Sequence, residues 1–366
     1  MVKIKIGNIT DTIFIAINII VIVAMNFCAY TAYLHPTYHP NFSYFGLAFP
    51  VFLAANVLFF FFWLLRKNWL VFLPLVGMLA CACSVRTFFP INYRPEAPEG
   101  SIKFMSYNVA NFGGPPMAKV DYDQNPVVRY MLDSDADIIC IQEGNVAGSS
   151  KVAEVLSKTY PYIMTGSQDG CHFNACISKY PVLSSEQIHY ESKTNRSYAY
   201  KLLIDDDTVL VVNNHFESYQ LHTEDRDDYK KIIMHPKNDS TILRFDSLTH
   251  KLIAKNRIRG LQADRVAEYI DSVKCKYKIA CGDFNDPSLS YTHHRMTRTM
   301  NDAFTQSGFG IGYSFNRSGM YFRIDNILVN DNIATYKTKV DNSISESDHY
   351  PIISYLFFKG KMKKNM

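Results

Sequence analysis

The sequence predicts an N-terminal membrane anchor followed by one α/β domain, in which two β-sheets pack together with helices outside them. Three observations predict this class. Apolar stretches fill most of the first 90 residues, short strand-like runs outnumber helix-like runs after residue 100, and the two kinds of run alternate along the chain. With 366 residues, 48% of them hydrophobic, the chain is long enough for one large domain plus the anchor.

Three stretches near the N-terminus contain no Asp, Glu, Lys or Arg: residues 12–34, 44–65 and 69–85. A helix needs roughly 17 to 25 apolar residues to cross the hydrocarbon core of a bilayer. We therefore predict three transmembrane helices within an anchor of residues 1–89. The alternatives are a soluble helical bundle, which would need a charged outer stripe, and a cleaved signal peptide, which would need a small-residue cleavage site after the first stretch.

Positive charges flank these stretches unevenly. Lys3 and Lys5 precede the first one, and Arg66 and Lys67 fill the turn between the second and third, whereas the loop HPTYHPN has no Lys or Arg. The positive-inside rule then predicts a multi-pass membrane protein with its N-terminus in the cytoplasm and the domain on the extracytoplasmic side. Two arginines that follow the third stretch count against this orientation.

The remainder of the chain has a balanced charge. Residues 90–100 contain several prolines and are predicted to be a linker, residues 101–358 form the domain, and residues 359–366 are a basic tail. Of the 38 Lys and Arg and 34 Asp and Glu in the chain, six and three lie in the first 100 residues, so the rest carries 32 and 31. The domain lacks the excess of positive charge that is typical of proteins that bind duplex nucleic acid.

The eight cysteines show no CxxC pair and no zinc-binding spacing. Cys140 and Cys281 lie in apolar runs, where we expect them to behave as small core side chains. Cys171 and Cys176 are close enough in sequence to form a disulfide if the domain is exported, although an intervening strand would point them to opposite faces.

Strand candidates in the domain are short runs rich in Val, Ile, Tyr and Phe: IKFMSYNV, DIICIQE, FNACIS, SYAYKLLI, TVLVVNNHF, YKIACGDF, RIDNILV and PIISYLFF. Helix candidates are NPVVRYMLDSD, KVAEVLSKTY and a long segment around SLTHKLIAKNRIRGLQADRVAEYIDSV. In the long segment Leu248, Leu252, Leu261 and Ile270 recur at spacings near the helical period, which predicts that they form its apolar face.

Several predicted strands end in polar side chains where a core would favour apolar ones: Asn108, Asn111, Glu143, Asn214, His215, Asp283, Asn285, Asp286, Asp325, Asp348 and His349. Taken alone, each has a structural explanation as a turn or cap residue. Six segments with the same kinds of side chain instead indicate a shared cleft. Carboxylates gathered in one cleft repel each other unless a cation neutralises them, and oxygen ligands without Cys suit Mg²⁺ or Mn²⁺.

The motifs MSYNVANF, CIQE, FNACISKYP, NNHFES, CGDFND, YFRIDNILV and SDHYPI, in this order, resemble those of the endonuclease/exonuclease/phosphatase superfamily. The resemblance covers about residues 101–358 and implies a four-layer αββα sandwich of the DNase I type. It also implies a metal-dependent phosphoesterase.

The resemblance implies a role for each matching residue. Asn108 and Glu143 match metal-binding positions and Asp348 lies next to the metal. Asp283 and Asn285 match the pair that positions the attacking water and the phosphate.

The remaining matches concern the histidines. His349 matches the catalytic histidine, and Asp325 matches the carboxylate that orients it. His215 and Asn174 match positions that face the phosphate.

The sequence departs from the family pattern at three places. Asn214 precedes His215 where Thr is common, and the Trp before and the Arg after GDxN that are usual in the inositol phosphatase subgroup are absent. These departures count against an inositide substrate. Residues 218–247 form an insertion rich in charges and aromatic residues, predicted either to shape the substrate entrance or to be a solvated helical hairpin. Its His222 and His235 receive no role.

The sequence thus predicts a membrane-anchored Mg²⁺- or Mn²⁺-dependent phosphodiesterase that acts by in-line attack of water. Its partners are a phosphodiester substrate and the lipid bilayer, and no obligate protein partner is predicted. An anchor near lipid head groups favours a phospholipid-type diester, but an anchored exported nuclease and a catalytically inactive phosphate-binding module stay open. So do the identity of the general base and the number of metal ions.

Overall fold

The computed structural model describes residues 9–93, 95–117, 120–146, 150–166, 174–192, 195–219, 239–317 and 321–360, with side chains described from residues 11 and 246 in the first and the seventh of these ranges. Cys171, His222 and His235 lie outside the described residues, as does most of the insertion. The disulfide between Cys171 and Cys176 therefore stays a prediction.

Two six-stranded sheets form the domain, in the orders β11-β12-β1-β2-β4-β3 and β5-β6-β7-β8-β10-β9. The strands of the first sheet are β1 (Ile102–Asn108), β2 (Ile138–Gln142), β3 (Tyr162–Thr165), β4 (Ala175–Ser178), β11 (Ile333–Val340) and β12 (Ile352–Phe358). Those of the second are β5 (Val182–Ile188), β6 (Ser197–Ile204), β7 (Asp207–His215), β8 (Tyr277–Asp283), β9 (Asn301–Asp302) and β10 (Asp325–Val329).

Nine helices accompany the sheets among the described residues: α1 (Ile9–Tyr30), α2 (Phe49–Leu65), α3 (Phe72–Ala80), α4 (Ala82–Phe88), α5 (Pro126–Asp133), α6 (Lys151–Leu156), α7 (Asp239–Ser272), α8 (Tyr291–Met296) and α9 (Ala303–Ser307). Pro126 opens α5 because its missing N–H is not needed in the first turn, and the Asn125 side chain caps that turn. Residues Ala110–Gly113 form a left-handed turn, since all four have positive φ.

Three apolar layers hold the domain together. The inner faces of the two sheets pack on each other, and Cys140, Cys176 and Cys281 meet there as fully buried side chains, as predicted for the first and last of them. Helices α5 and α6 cover the outer face of the first sheet, and α7 and α8 cover the outer face of the second. The predicted two-sheet α/β class is confirmed, with the layer order helix, sheet, sheet, helix.

The predicted apolar face of α7 is wrong at Leu261, which is 53% exposed. The buried face of this helix is formed by Ala263, Val266 and Ile270, and Asn256 and Arg259 continue it toward the N-terminus. Sequence periodicity misses this face because its N-terminal half is polar.

The N-terminal helices agree with the predicted anchor in two of three spans. Residues Asp11–Tyr33 and Pro40–Leu65 are long and apolar enough to cross a membrane, whereas the third predicted span is a pair of helices, Trp69–Ala80 and Ala82–Phe88, bent by 76°. The second helix of this pair contacts the domain, since Arg323 donates a hydrogen bond to the carbonyl of Thr87 at 3.0 Å.

Candidate active site

The sheet registers place the predicted site residues at one edge of the molecule. Parallel pairing sets Asn108 beside Gln142, directly before Glu143, and sets His215 beside Asp283. Antiparallel pairing sets Asp325 beside Asp283. The carboxyl ends of four strands and the start of a fifth therefore meet, as the strand-end pattern predicts.

The Asp283 carboxylate lies at the centre of this group and is fully buried. Asn108 Nδ2 donates to its Oδ2 at 3.1 Å, and the backbone N–H of Asn285 donates to its Oδ1 at 2.8 Å. The Nε2 atoms of His349 and His215 lie 3.6 Å and 3.8 Å from Oδ2. Burial raises the pKa of Asp283 to about 6, although the two imidazoles act to lower it.

The backbone before Asp283 requires a glycine. Gly282 has φ of +120°, and a Cβ atom there would lie 1.9 Å from the carbonyl oxygen of Asn214. Such a contact is impossible, so any side chain at Gly282 would push β8 away from β7 and displace the aspartate that follows.

We expect Gly282→Ala to lower the free energy of unfolding by about 3 kcal/mol or more, because backbone strain and a steric clash add. Gly310→Ala is the matched control, since Gly310 has φ of +84° but a Cβ atom there would meet no other atom within 4 Å. This control should cost only about 1 kcal/mol. Urea denaturation of both variants measures the difference, and equal losses would contradict the close approach of the strands.

Glu143 stands at the open side of the group, where its side chain is 46% exposed. Asn108 Nδ2 donates to its Oε1 at 3.0 Å, and His215 Nε2 lies 3.3 Å from the same oxygen. Burial acts to raise the pKa of Glu143, but the His215 ring and the Asn108 amide outweigh it and hold this pKa below its ordinary value. The side chain is thus held as a carboxylate.

Asp325 and His349 form a buried pair in which His349 Nδ1 lies 2.8 Å from Asp325 Oδ2. The pair leaves Nε2 facing Asp283. Burial lowers the pKa of His349, but the charges of Asp325 and Asp283 outweigh it and raise this pKa to about 10. The Phe315 ring packs on the imidazole with 5.2 Å between ring centroids.

Asn285 and Asn174 lie near this group in different ways. Asn285 Nδ2 donates to Asp283 Oδ2 at 3.2 Å and to the Phe216 carbonyl at 2.9 Å. Asn174 Nδ2 donates at 3.1 Å to the Arg196 carbonyl, which also accepts the backbone N–H of His215. Asn174 is therefore a neighbour of His215, and its role toward phosphate stays a prediction.

Asn108 and Asp348 also have distinct surroundings. The Asn108 side-chain oxygen accepts the backbone N–H of Ala110, so the amide nitrogen and not the oxygen faces the two carboxylates. Asp348 precedes His349 and lies 3.9 Å from Arg317 Nε. The Asn108 amide nitrogen thus contacts both carboxylates, while the metal-binding roles predicted for Asn108 and Asp348 stay predictions.

The donor set fits a divalent cation. Ligand atoms of Glu143, His215 and Asp283 all lie within 4.8 Å of one another, and the same holds for Asp283, Asp325 and His349. Carboxylate oxygens dominate both groups, and neither group contains a thiol, which suits a hard ion such as Mg²⁺ or Mn²⁺ better than Zn²⁺.

Sequence reasoning missed the residues that hold the site from behind. Ser314 Oγ accepts the backbone N–H of Asp325 at 3.0 Å, and Ser347 Oγ donates to the Asn108 carbonyl at 2.7 Å. Serines in loops carry no signal that separates such roles from ordinary turns. The sequence of α7 did contain a signal for a buried polar face, because Asn256, Arg259 and Gln262 follow each other at helical spacing, and all three are buried in the structure.

These α7 side chains belong to a buried network beside the site. The Arg259 guanidinium is fully buried and lies over the Tyr219 ring at 3.8 Å. Tyr219 Oη donates to Asn256 Oδ1 at 2.7 Å and lies 3.2 Å from Asp286 Oδ1, and Asn256 Nδ2 donates to the Ser43 carbonyl at 2.9 Å. The network joins the loop after Asn285 to the N-terminal segment.

Comparison with known proteins agrees with this geometry. A family model described as the Endonuclease/Exonuclease/phosphatase family matches residues 105–349, and one described as a domain of unknown function (DUF8431) matches residues 11–88. No curated protein matches the sequence significantly. The first match covers about two thirds of the chain and spans all the site residues described above.

Many solved structures are similar to this chain, and two of them illustrate the likeness. Truncated Caenorhabditis elegans TDP2 superposes with a TM-score of 0.50 at 17% identity, over 70% of this chain and 98% of that one. An endonuclease/exonuclease/phosphatase from Beutenbergia cavernae superposes with a TM-score of 0.49 at 13% identity, over 71% and 72%. At such identity the likeness to TDP2 shows the fold. Family members are metal-dependent phosphoesterases and nucleases. The chain belongs to the endonuclease/exonuclease/phosphatase family and is a hydrolase that acts on ester bonds.

Proposed function

We propose that the chain is a membrane-anchored phosphodiesterase that hydrolyses its substrate by in-line attack of water with the help of a divalent cation. The observation that carries the proposal is the convergence on Asp283 of Asn108, Asn285, His215 and His349, all within 4 Å of its carboxylate. Three of these residues come from segments far from Asp283 in the sequence. Neither a turn nor a hydrophobic core requires such a convergence of polar side chains.

Asp283 holds the attacking water in this proposal. The backbone N–H of Asn285 donates to one carboxylate oxygen, and the second oxygen accepts the side-chain amides of Asn108 and Asn285 and faces the two imidazoles. A water that donates to this oxygen would stand next to the groups that grip the phosphate, which is the geometry that in-line attack needs.

The phosphate is held by groups that donate hydrogen bonds. His349 Nε2 is the ring atom that remains for the phosphate once Asp325 accepts from Nδ1, and His215 Nε2 faces the same space. Asn285 is the third residue that we propose to face the phosphate, although its side-chain amide donates to Asp283 Oδ2 and to the Phe216 carbonyl in this structure. Together these groups stabilise the negative charge that grows on the phosphate oxygens as water attacks.

Glu143 and Asp283 would hold Mg²⁺ or Mn²⁺, with Asn108 keeping both carboxylates in place and with Asp348 as a further predicted ligand. The ion, when bound, neutralises phosphate charge and polarises the scissile bond. A catalytically inactive phosphate-binding module is disfavoured, because loss of Glu143, Asp283, Asp325 or His349 would be expected in such a module and all four are present.

Membrane anchoring is supported by the surface of the N-terminal helices. Their outward side chains are apolar and exposed, with Ile20 at 66%, Leu58 at 70% and Leu79 at 72%. Their inward amides bond between helices, since Asn18 donates to Asn56 at 3.2 Å and Asn56 donates to the Pro74 carbonyl at 3.0 Å. An apolar outer surface together with hydrogen bonds between the inward side chains is typical of helices packed in lipid.

The topology that we propose has three crossings, the last of them made by the bent pair. His35 Nε2 in the loop after α1 lies 2.9 Å from Asp264 Oδ2 in the domain. This contact supports a topology in which the loop and the domain lie on the same side of the membrane, which the chain would reach after one crossing and again after three. The flanking charges predict this side to be extracytoplasmic.

A chelation experiment tests the proposal. The full chain, purified in detergent, is incubated with a chromogenic phosphodiester, with mixed lipid vesicles and with plasmid DNA, each with and without EDTA. We expect hydrolysis of at least one phosphodiester, its loss in EDTA, and its recovery when Mg²⁺ or Mn²⁺ is restored. Turnover that EDTA leaves unchanged would refute the metal-dependent mechanism, and cleavage of DNA alone would identify the nuclease.

A further inference from the structure

A cavity of about 450 Å³ lies where the N-terminal helices meet the domain. Gly46 and Leu47 line it from the short turn before α2, Pro50 lines it from the first turn of α2, and Phe88 lines it from the end of α4. The domain supplies the other walls from residues 287–289, 311–313 and 321–323. The volume falls within the range of small-molecule sites.

The anchor side of this cavity is firmly attached to the domain. Leu289 is 6% exposed and packs in the apolar core of the anchor with Met25 and Phe49. A Cβ atom on Gly46 would lie 2.0 Å from the Leu289 carbonyl oxygen, so the two backbones touch. The cavity is therefore a built feature of the interface and not a gap between loosely associated parts.

The domain side of the cavity adjoins the catalytic pair. Ser314 and Phe315 donate backbone hydrogen bonds to the Phe322 carbonyl at 2.9 Å, and Phe315 packs on His349. Ser314 also accepts the backbone N–H of Asp325. One layer of residues, which includes Phe315, thus separates the Phe322 wall of the cavity from the His349 imidazole that we propose binds the phosphate.

The lining is apolar in character. Leu47, Ile311, Tyr313 and Phe322 present aliphatic and aromatic surface, and Arg323 is the one charged residue among the described lining residues. Its guanidinium is paired inside the protein, with Asp302 at 2.9 Å, Asn326 at 3.0 Å and the Thr87 carbonyl at 3.0 Å. A ligand in the cavity would therefore meet an apolar surface whose charge is already neutralised.

We infer that this cavity binds the long apolar chain of a phosphodiester lipid whose phosphate occupies the site at Asp283 and His349. The inference rests on the proposed phosphodiesterase function and specifies its substrate class. One wall belongs to the segment that borders the bilayer and the other to the catalytic loops, so a lipid chain can remain in apolar surroundings while its phosphate reaches the imidazoles.

A matched pair of esters tests the inference on the full chain in detergent micelles. Hexadecyl and methyl para-nitrophenyl phosphate share the leaving group and the phosphodiester, and differ only in the alkyl chain. We expect the hexadecyl ester to have a kcat/KM at least about tenfold higher, because burial of a few methylene groups suffices for such a ratio. A ratio near one would overturn the inference, whereas failure to hydrolyse either ester would count against the proposed function.

Two variants separate the cavity from the micelle. Ile311→Asp introduces a charge into the cavity, and Leu183→Asp introduces the same charge at an equally apolar position of β5, where Leu183 is 55% exposed. The ratio of kcat/KM between the two esters should fall to near one in Ile311→Asp and stay at the wild-type value in Leu183→Asp. An unchanged ratio in Ile311→Asp would overturn the inference.

A binding readout is independent of turnover. The full chain is placed in phosphatidylcholine nanodiscs that contain a trace of phosphatidylcholine with a diazirine at the end of one acyl chain. After illumination, we expect labelled peptides that contain residues 287–289 or 311–317, and a loss of this label in Ile311→Asp. Label confined to the outer faces of α1, α2 and α3 would overturn the cavity assignment even if the esters are hydrolysed.

Discussion

Asp283→Asn is expected to lower kcat for a phosphodiester about 10³-fold while the protein stays folded. The aspartate is fully buried at the centre of the site, and its Oδ2 lies 3.6 Å and 3.8 Å from the imidazoles of His349 and His215. Asparagine preserves size and one acceptor for the Asn285 N–H, but it removes the negative charge that we propose orients the attacking water.

The fold should survive this change, because a buried carboxylate without its charge loses the cost of desolvation as well as its attraction to the imidazoles. Circular dichroism and the melting temperature report on the fold, and single-turnover kinetics report on the chemical step. Asp271→Asn, an exposed change at the end of α7, is the matched control and should keep wild-type turnover. An Asp283→Asn protein that retains more than a tenth of wild-type kcat would remove Asp283 from the mechanism.

His349→Ala should reduce turnover to a similar extent, because it removes the ring that Asp325 holds through Nδ1 and that we propose binds the phosphate. The two substitutions disable one unit, so the double variant should be little slower than the slower single variant. Fully multiplicative losses would mean that Asp283 and His349 act in separate steps.

The strands that the sequence predicted lie inside the two sheets, whereas the strands that it missed lie at their edges. All eight predicted runs contain strands, and the four strands without a prediction are β3, β5, β9 and β11, which are the outer strands of the two sheets. An outer strand contacts one neighbour and is half exposed, so its sequence mixes polar and apolar residues. In β5, for example, the core-like periodicity is interrupted by Ser184, Ser185 and Glu186.

The convergence of the candidate site residues was predictable for a topological reason. Polar residues at strand ends are conspicuous in sequence, and the parallel pairings of β1 with β2 and of β7 with β8 bring those ends to one edge. The sequence could not predict the orientation of the side chains within the site. The Asn108 amide turns its nitrogen toward the carboxylates because Ala110, in a left-handed turn, donates its N–H to the amide oxygen.

Contacts between distant segments account for the other differences. The third predicted span bends at Cys81, and its second helix, α4, contacts the domain through Arg323. The polar face of α7 is buried because Arg259 and Asn256 find partners in Asp286 and Ser43. Such partners lie far away in sequence, so local hydropathy cannot reveal them.

Glu143→Gln is expected to raise the concentration of Mg²⁺ or Mn²⁺ needed for half-maximal activity by about 100-fold or more, since the loss of even an outer-shell partner of a metal ligand costs roughly 10- to 100-fold in affinity. Glu143 is the carboxylate on the open side of the site, and Asn108 and His215 hold it within reach of Asp283. Glutamine keeps the shape and can still accept from the Asn108 amide, but it lacks the charge that a hard cation requires.

Two measurements distinguish a lost metal ligand from a damaged site. Isothermal titration calorimetry without substrate should show weaker metal binding in Glu143→Gln, and activity should return in part at high metal concentration. Glu154→Gln, an exposed change on α6, is the matched control and should bind metal like the wild type. If Glu143→Gln loses activity with an unchanged metal requirement, Glu143 acts on the substrate directly, and the cation must be held on the side of Asp283 that faces Asp325 and His349.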